Sequence, residues 1–532
     1  MKINSSRRNF LRGMAGLSML GAGGCFSIGQ PEQRKIRLAA VGVYGIGWST
    51  FEPMIRSGLA ELVAWCDCDE ECRLQSIQTT RDMKNRKEVP WDWDYPLEKV
   101  PFYTDYRKLL DDAGLLGIEA LVVCTPDHTH APIAIQAMKL GIHVYVQKPL
   151  VRTLWELDYF KRTAQEYGVI TQMGNQGSAL PAVRRATEVI QSGLLGDVKE
   201  VHVWTNRPVW PQGKAAGELT KGPSDRIPKG FNWNAWLGPA AERPFKGAFP
   251  KDAKVFDPWT ISPNVYHRFN WRAFFDFGCG AFGDMACHTM NMPFRALELG
   301  TLKSAELTMI EDRSEIAFPM KSVVKMTYAA RPSAVQKENG KAKTLPECTL
   351  YWYDGGYGEA QPKPSADIMP QVIATLGKVP ETGCFLLGTK GAVVMMDDYG
   401  AKCMLALKDE KKMVDLFQHP AASKDVIAQR IPNIGDGDGQ RKKGPGAAAI
   451  NAGGHSGEWL NAINGNGIVY EQTHSRCFSD IEFSIPMMEG VLVGCMAQRV
   501  GGKLAWDPKT QTFDRAEANA LVKPYIRRGF EF

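Results

Sequence analysis

The chain has 532 residues, 44% of them apolar and 23% charged, and 12 cysteines. This is globular composition, long enough for two or three domains, and it excludes wholesale disorder, collagen-like repeats and a disulfide-stapled miniprotein. The net charge is +6, but Lys2, Arg7, Arg8 and Arg12 all precede residue 31 with no acid to offset them, so the remainder is close to neutral and nucleic acid is excluded as a charge-driven partner.

Ser6-Arg7-Arg8-Asn9-Phe10-Leu11-Arg12 leads into an apolar run from Gly13 to Gly24. A twin arginine before a short apolar run reads as a twin-arginine export signal over residues 1–30, too short to span a bilayer. The plain alternative is a basic, frayed terminus. Cys25 follows Ala22-Gly23-Gly24, a loose match to a lipoprotein acylation site without the usual Leu, so a lipid anchor at Cys25 is a secondary expectation. The expected partner is the twin-arginine export machinery, and the expected location is the periplasm or envelope. That route carries proteins already folded in a reducing compartment, so thiols need not serve as staples. Cys66, Cys68 and Cys72 form the one tight cluster. C-x-C-x3-C lacks the usual zinc spacing and has no nearby His, which favours small buried residues at a strand end over a metal site.

Residues 36–41 are a short apolar run, as for a strand covered on both faces. Gly42-Val43-Tyr44-Gly45-Ile46-Gly47 follows, then a helix to Ser57 with Gly58 after it, then an apolar run 62–66 that ends at Asp67. Strand, glycine turn, helix, strand and acid are the order of a dinucleotide-binding unit. Glycines admit a pyrophosphate, the helix start offers free N–H groups, and the carboxylate accepts from a ribose hydroxyl. Tyr44 stands where the G-x-G-x-x-G register wants glycine. Asp67 would repel a 2′-phosphate, so NAD is expected rather than NADP.

The alternation continues with a strand 119–124, the loop Thr125-Pro126-Asp127-His128-Thr129-His130, a helix 131–140, a strand 142–146 and Gln147-Lys148-Pro149. Thr153-Leu154-Trp155-Glu156 is a capping box for a helix to Tyr167, and a strand 169–173 reaches Gly174-Asn175-Gln176. In open parallel sheets ligands sit beyond the carboxyl ends of the strands, where Lys148 and the His128/His130 loop fall. Lys148 is there a candidate electrophile or acid, against the usual fate of lysine as a solvated charge.

After a helix at 182–192 the pattern changes to spaced strands with long connections. Six of the 14 tryptophans lie from Trp204 to Trp271, either a sugar-stacking platform or core. Residues 433–457 are rich in Gly and Asp, either a flexible flap or a tolerated insertion. Gly283-Asp284-Met285-Ala286-Cys287-His288 is the densest chemical stretch, with Asp284 and His288 four apart on one helical face. A carboxylate beside a His raises its basicity and orients it; a purely structural pair fits the spacing equally well.

The glycine turn, the 125–130 loop, Lys148-Pro149 and Asp284-x3-His288 together resemble the glucose–fructose oxidoreductase / inositol dehydrogenase / MocA (Gfo/Idh/MocA) family, and its exported bacterial members most of all. Trp233-Asn234-Ala235-Trp236-Leu237-Gly238-Pro239, Phe269-Asn270-Trp271-Arg272, Trp352-Tyr353-Asp354-Gly355-Gly356 and Lys503-Leu504-Ala505-Trp506-Asp507 extend the resemblance over roughly residues 36–530. It implies an α/β fold: a doubly wound parallel Rossmann sheet over 34–177, then a C-terminal α/β domain over 178–532 with an open, largely antiparallel sheet. It also implies oxidation or reduction of a carbinol of a sugar, glycoside or polyol, and a homo-oligomer. Lys148, Asp284 and His288 are then the catalytic residues. His288 is the base oriented by Asp284, and Lys148 stabilises the alkoxide or relays its proton. Gly42, Gly45, Gly47, Asp67, Thr125, Pro126, His130 and Gln147 cradle NAD. Gln147 departs from the family's Glu. No metal is expected in the site. Two further functions stay open: an NAD-dependent glycoside hydrolase with a transient oxidation–elimination–reduction cycle, and a non-catalytic NAD or sugar sensor.

Overall fold

The computed structural model describes residues 34–85, 95–249, 262–356, 360–434, 454–465 and 476–532. The expected export signal with Cys25, Trp259 and most of the Gly- and Asp-rich stretch at 433–457 lie outside the described residues.

Within the unit formed by residues 35–532, two sheets carry the architecture. The first consists of β1 (Ile36–Val41), β2 (Ala60–Cys66), β3 (Phe102–Tyr103), β4 (Ala120–Val123), β5 (His143–Val146) and β6 (Thr171–Met173). Their order is β3-β2-β1-β4-β5-β6, all parallel. This is the doubly wound arrangement, with its switch point between β1 and β4. The continuous apolar runs arise because both faces are covered. Leu38 and Ala40 pack with Trp48 and Phe51 of helix Ile46–Arg56, while Ala39 and Val41 face the opposite core with Leu121 and Val123. The capping box at Thr153 is formed: Thr153 Oγ1 accepts from the Glu156 N–H (3.3 Å) and Glu156 Oε2 accepts from the Thr153 N–H (2.9 Å). That helix, Leu154–Tyr167, ends on Gly168 at φ 63°.

The second sheet begins with β7 (Val198–Trp204), β8 (Leu302–Glu311) and β9 (Lys321–Tyr328). A hairpin of β10 (Arg331–Glu338) and β11 (Lys341–Leu345) stands outside it. The sheet continues with β12 (Cys348–Asp354), β13 (Gly383–Gly388), β14 (Gly391–Met395), β15 (Cys403–Leu407), β16 (Val414–Asp415) and β17 (Lys503–Leu504). The order is β16-β15-β14-β13-β7-β12-β9-β8-β17, with only β7 and β12 parallel. Alternate residues of β9 and β12 are buried, so one face is covered more fully than the other. Helices Gly280–Thr289 and Ile481–Val500 help form that cover. Phe282 stacks on Trp352 with ring centroids 4.5 Å apart. A Cβ on Gly494 would sit 2.3 Å from the Phe282 ring, so glycine lets the two helices close together. This packing fixes helix Gly280–Thr289, which carries Asp284 and His288, near the ends of the parallel strands.

Candidate active site

The glycines of the first turn act for different reasons. Gly42 leaves β1 at φ 79°, and a Cβ there would lie 2.5 Å from the Cys124 carbonyl oxygen. Gly45 sits at φ 60° before helix Ile46–Arg56, with open space where a side chain would point. A Cβ on Gly47 would come within 1.9 Å of the Gly42 carbonyl oxygen, so its role is packing the helix against the turn rather than meeting a ligand. Tyr44 is tolerated because its side chain turns outward, with its ring 5.1 Å from the Arg268 guanidinium. Asp67 Oδ2 accepts from the Val43 N–H (3.0 Å) and Oδ1 from the Asp69 N–H (3.1 Å), tying β2 to the glycine turn. Burial nonetheless pushes its carboxyl above the usual range.

Lys148 follows β5, and its Nζ donates to Asp284 Oδ1 (2.8 Å) and to the Asp284 carbonyl (3.0 Å). Arg272 Nε donates to the same carboxylate oxygen (3.1 Å). Burial alone would raise the Asp284 carboxyl, but the Lys148 and Arg272 cations outweigh it and hold it well below the carboxylate range. The expectation that Asp284 orients His288 by direct contact is therefore corrected: its carboxylate is engaged by two cations instead. His288 is buried, its Nδ1 has no hydrogen-bond partner, and its ring meets Tyr399 edge-on at 4.7 Å. Burial, reinforced by Lys148, drives its basicity well below that of an ordinary histidine, against the pull of Asp284. Gln147 Nε2 donates to Thr50 Oγ1 (3.0 Å), and its Oε1 accepts from the Lys148 N–H (3.3 Å), so it positions the strand end rather than the lysine ammonium.

In the 125–130 loop, Thr125 and Pro126 line the same cleft, and Thr129 Oγ1 donates to Thr125 Oγ1 (2.7 Å). His130 does not line it. Its ring nitrogens lie 2.8 Å from the Pro149 and Thr125 carbonyl oxygens, which makes it a strut between two strand ends rather than a cofactor contact. Burial lowers its pKa to about 4. Asp127, which the sequence reading left without a role, does line the cleft, and burial raises its carboxyl to about 7.

The cleft encloses about 670 Å³ and joins Gly42, Gly45, Asp67, Thr125, Pro126 and Gln147 to Lys148, Asp284 and His288. Sequence reasoning missed Arg207, His267, Arg268 and Tyr399, which line it from distant segments. Arg272 and Trp271, of the Phe269-Asn270-Trp271-Arg272 motif, line it as well. Among the tryptophans, Trp204 is sheet core and Trp233 stacks on Trp236 in an aromatic core, while Trp210, Trp236 and Trp271 also reach the cleft wall. The 11 cysteines among the described residues are all free thiols.

Residues 36–175 match the family model described as an oxidoreductase family with an NAD-binding Rossmann fold. The scyllo-inositol 2-dehydrogenase (NAD(+)) of Bacillus subtilis is 34% identical over 92 residues, 17% of this chain and 26% of that protein. Glycosyl hydrolase family 109 protein 2 of Akkermansia muciniphila is 25% identical over 171 residues, 32% of this chain and 33% of that one. The matched stretches thus span about a quarter to a third of these curated relatives. The crystal structure of an inositol dehydrogenase homolog from Azotobacter vinelandii, complexed with NADH and myo-inositol, aligns with a TM-score of 0.51 at 16% identity. The alignment covers 89% of this chain and 98% of that one, a likeness of fold. Residues 36–175 thus form an NAD-binding Rossmann fold of an oxidoreductase family. More narrowly, that matched segment carries the signature of the Gfo/Idh/MocA oxidoreductase family.

Proposed function

We propose that this protein is an NAD-dependent oxidoreductase acting on a carbinol of a sugar, glycoside or related polyol. The observation that carries the reading is Lys148 Nζ bound 2.8 Å from Asp284, one helical turn from the buried His288, in the same cleft as the glycine turn. The residues present fit a dinucleotide: open space at Gly45, close backbone approach at Gly42, a helix start behind them, and the Asp67 carboxylate at the end of β2.

Bound NAD supplies the hydride acceptor. His288, held neutral by burial, takes the carbinol proton through a ring nitrogen. Lys148, anchored by two hydrogen bonds, presents its ammonium to the alkoxide oxygen as charge develops there. Asp284 fixes Lys148 and balances Arg272, so it acts on the lysine first and on His288 through the local field. Positioned groups of this kind contribute roughly 10²–10⁴-fold each. Asp67 disfavours a 2′-phosphate and so favours NAD over NADP.

A screen of polyols, sugars and glycosides for absorbance of reduced nicotinamide, with reducing-sugar release measured in parallel, tests the reading. A glycoside hydrolase with transient oxidation is the second reading, supported by the similarity to glycosyl hydrolase family 109 protein 2. It predicts sugar release with no net turnover of free NAD. We further propose export to the periplasm or envelope, supported by the Arg7-Arg8 pair and the apolar run after it. Arg7→Lys with Arg8→Lys should strand the protein in the cytosol, and unchanged fractionation would sink that part.

A further inference from the structure

The C-x-C-x3-C stretch lacks a nearby histidine in sequence, but the fold brings one to it. His267 arrives from the second half of the chain and places Nε2 3.0 Å from Asp69 Oδ2. The Cys72 thiol lies 3.8 Å from the same oxygen. One ligand atom from each of the three residues lies within 4.8 Å of those of the other two. We propose that Asp69, Cys72 and His267 form a binding site for a divalent cation of the zinc class, joining the turn after β2 to the segment 262–272.

The geometry fits such an ion. Bonds of roughly 2.0–2.3 Å in a tetrahedral site set neighbouring ligand atoms about 3.3–3.8 Å apart, so the two spacings at Asp69 need only small adjustment. The ligands are also held before any ion arrives. Asp69 and Cys72 flank the first turn of helix Glu70–Asn85, where the Cys72 N–H donates to the Asp69 carbonyl (3.0 Å) and the Glu71 N–H to Asp69 Oδ1 (3.1 Å). The His267 ring stacks on Phe231 with centroids 4.9 Å apart.

The chemistry selects the ion. A thiolate, a carboxylate and a neutral imidazole carry two negative charges, which one divalent cation balances. The sulfur disfavours magnesium and calcium and suits zinc. Without a cation, Cys72 is a buried thiol beside two carboxylates, Asp67 and Asp69, a setting that opposes the thiolate. Arg268 is the competing cation, with Nη2 3.5 Å from Asp69 Oδ2. It keeps other seats when displaced, because Nη1 donates to Gln75 (2.6 Å) and its guanidinium lies over Tyr44. Cys72 and His267 line the cleft, which leaves room on that side for water as the fourth ligand.

The test is metal content, which does not depend on the oxidoreductase reading. Untagged full-length protein from zinc-supplemented cells, dialysed without chelator, should hold about one zinc per chain. Cobalt exchanged into it should give a thiolate-to-cobalt charge-transfer band. Cys72→Ser and His267→Gln should each lower zinc affinity by tenfold or more, and the band should vanish in Cys72→Ser; Cys348→Ser, at a buried cysteine in β12, should change neither. Sub-stoichiometric metal in the folded wild-type protein at micromolar zinc overturns the proposal. So does cobalt binding without the thiolate band, or full occupancy in both ligand variants. If a variant does not fold, the wild-type stoichiometry and spectrum decide.

Discussion

Asp284→Asn isolates the role the structure gives that carboxylate. Its Oδ1 lies 2.8 Å from Lys148 Nζ and 3.1 Å from Arg272 Nε, and side-chain exposure is 12%, 14% and 16% for Asp284, Lys148 and Arg272. Asparagine keeps the shape and one acceptor but leaves two partly desolvated cations facing each other. Breaking a buried ion pair from one side costs about 3–5 kcal/mol, and the retained acceptor puts this change near about 3 kcal/mol. Removing one of the cations should recover part of the loss, so Lys148→Met in the Asp284→Asn background should be more stable than the sum of the single changes by about 1–3 kcal/mol. The assay is urea denaturation of all four proteins at pH 7, followed by tryptophan fluorescence. The sign with pH is also fixed. A depressed carboxyl contributes stability that is present above the unfolded carboxylate range, near about 4, and is lost as pH falls through the lower folded value. The wild-type advantage over Asp284→Asn should therefore shrink in acid. A midpoint unchanged by Asp284→Asn, or strict additivity with Lys148→Met, would refute the reasoning.

The remaining expectations concern the cofactor turn and the histidine. Gly47→Ala forces a Cβ to within 1.9 Å of the Gly42 carbonyl oxygen, so it should cost about 1–3 kcal/mol and weaken NAD binding, both readable by thermal shift with and without NAD. Calorimetry on stripped protein should show NAD bound more tightly than NADP, with the preference narrowed in Asp67→Ser; equal binding in the wild type would contradict the assignment of Asp67. Because burial and Lys148 both lower His288, the acid limb of kcat/KM should fall below the ordinary histidine value near 6.5, and Asp284→Asn should move it lower still. An acid limb above that value would remove His288 as the base.

The parallel sheet was readable because β1, β4 and β5 are short apolar runs punctuated by Gly42, Gly141 and Gly168, and local periodicity and turn chemistry suffice for such elements. The residues proposed as catalytic stood out from motif spacing, since Lys148 follows a strand end and Asp284 and His288 lie four apart on one helix. Their partners were not. Arg272 reaches Asp284 from the short 3-10 helix Asn270–Ala273, and nothing in the spacing of Asp284 and His288 says that cations claim the carboxylate first. His130 shows the converse error: a motif histidine taken for a ligand contact proves to be a buried strut, because its two flanking carbonyls come from strand ends apart in sequence. Arg268 and His267 approach the nucleotide turn from the second half of the chain, a long-range placement that no local pattern encodes.

The most direct test of the central claim is a turnover assay with NAD and a substrate identified by the polyol, sugar and glycoside screen, run on wild type, Lys148→Ala and His288→Ala, with NAD affinity measured on each protein. The account predicts wild-type production of reduced nicotinamide, a loss of roughly 10²-fold or more in either variant, and NAD affinity in His288→Ala within a few-fold of wild type. Near wild-type turnover by His288→Ala across pH would contradict it.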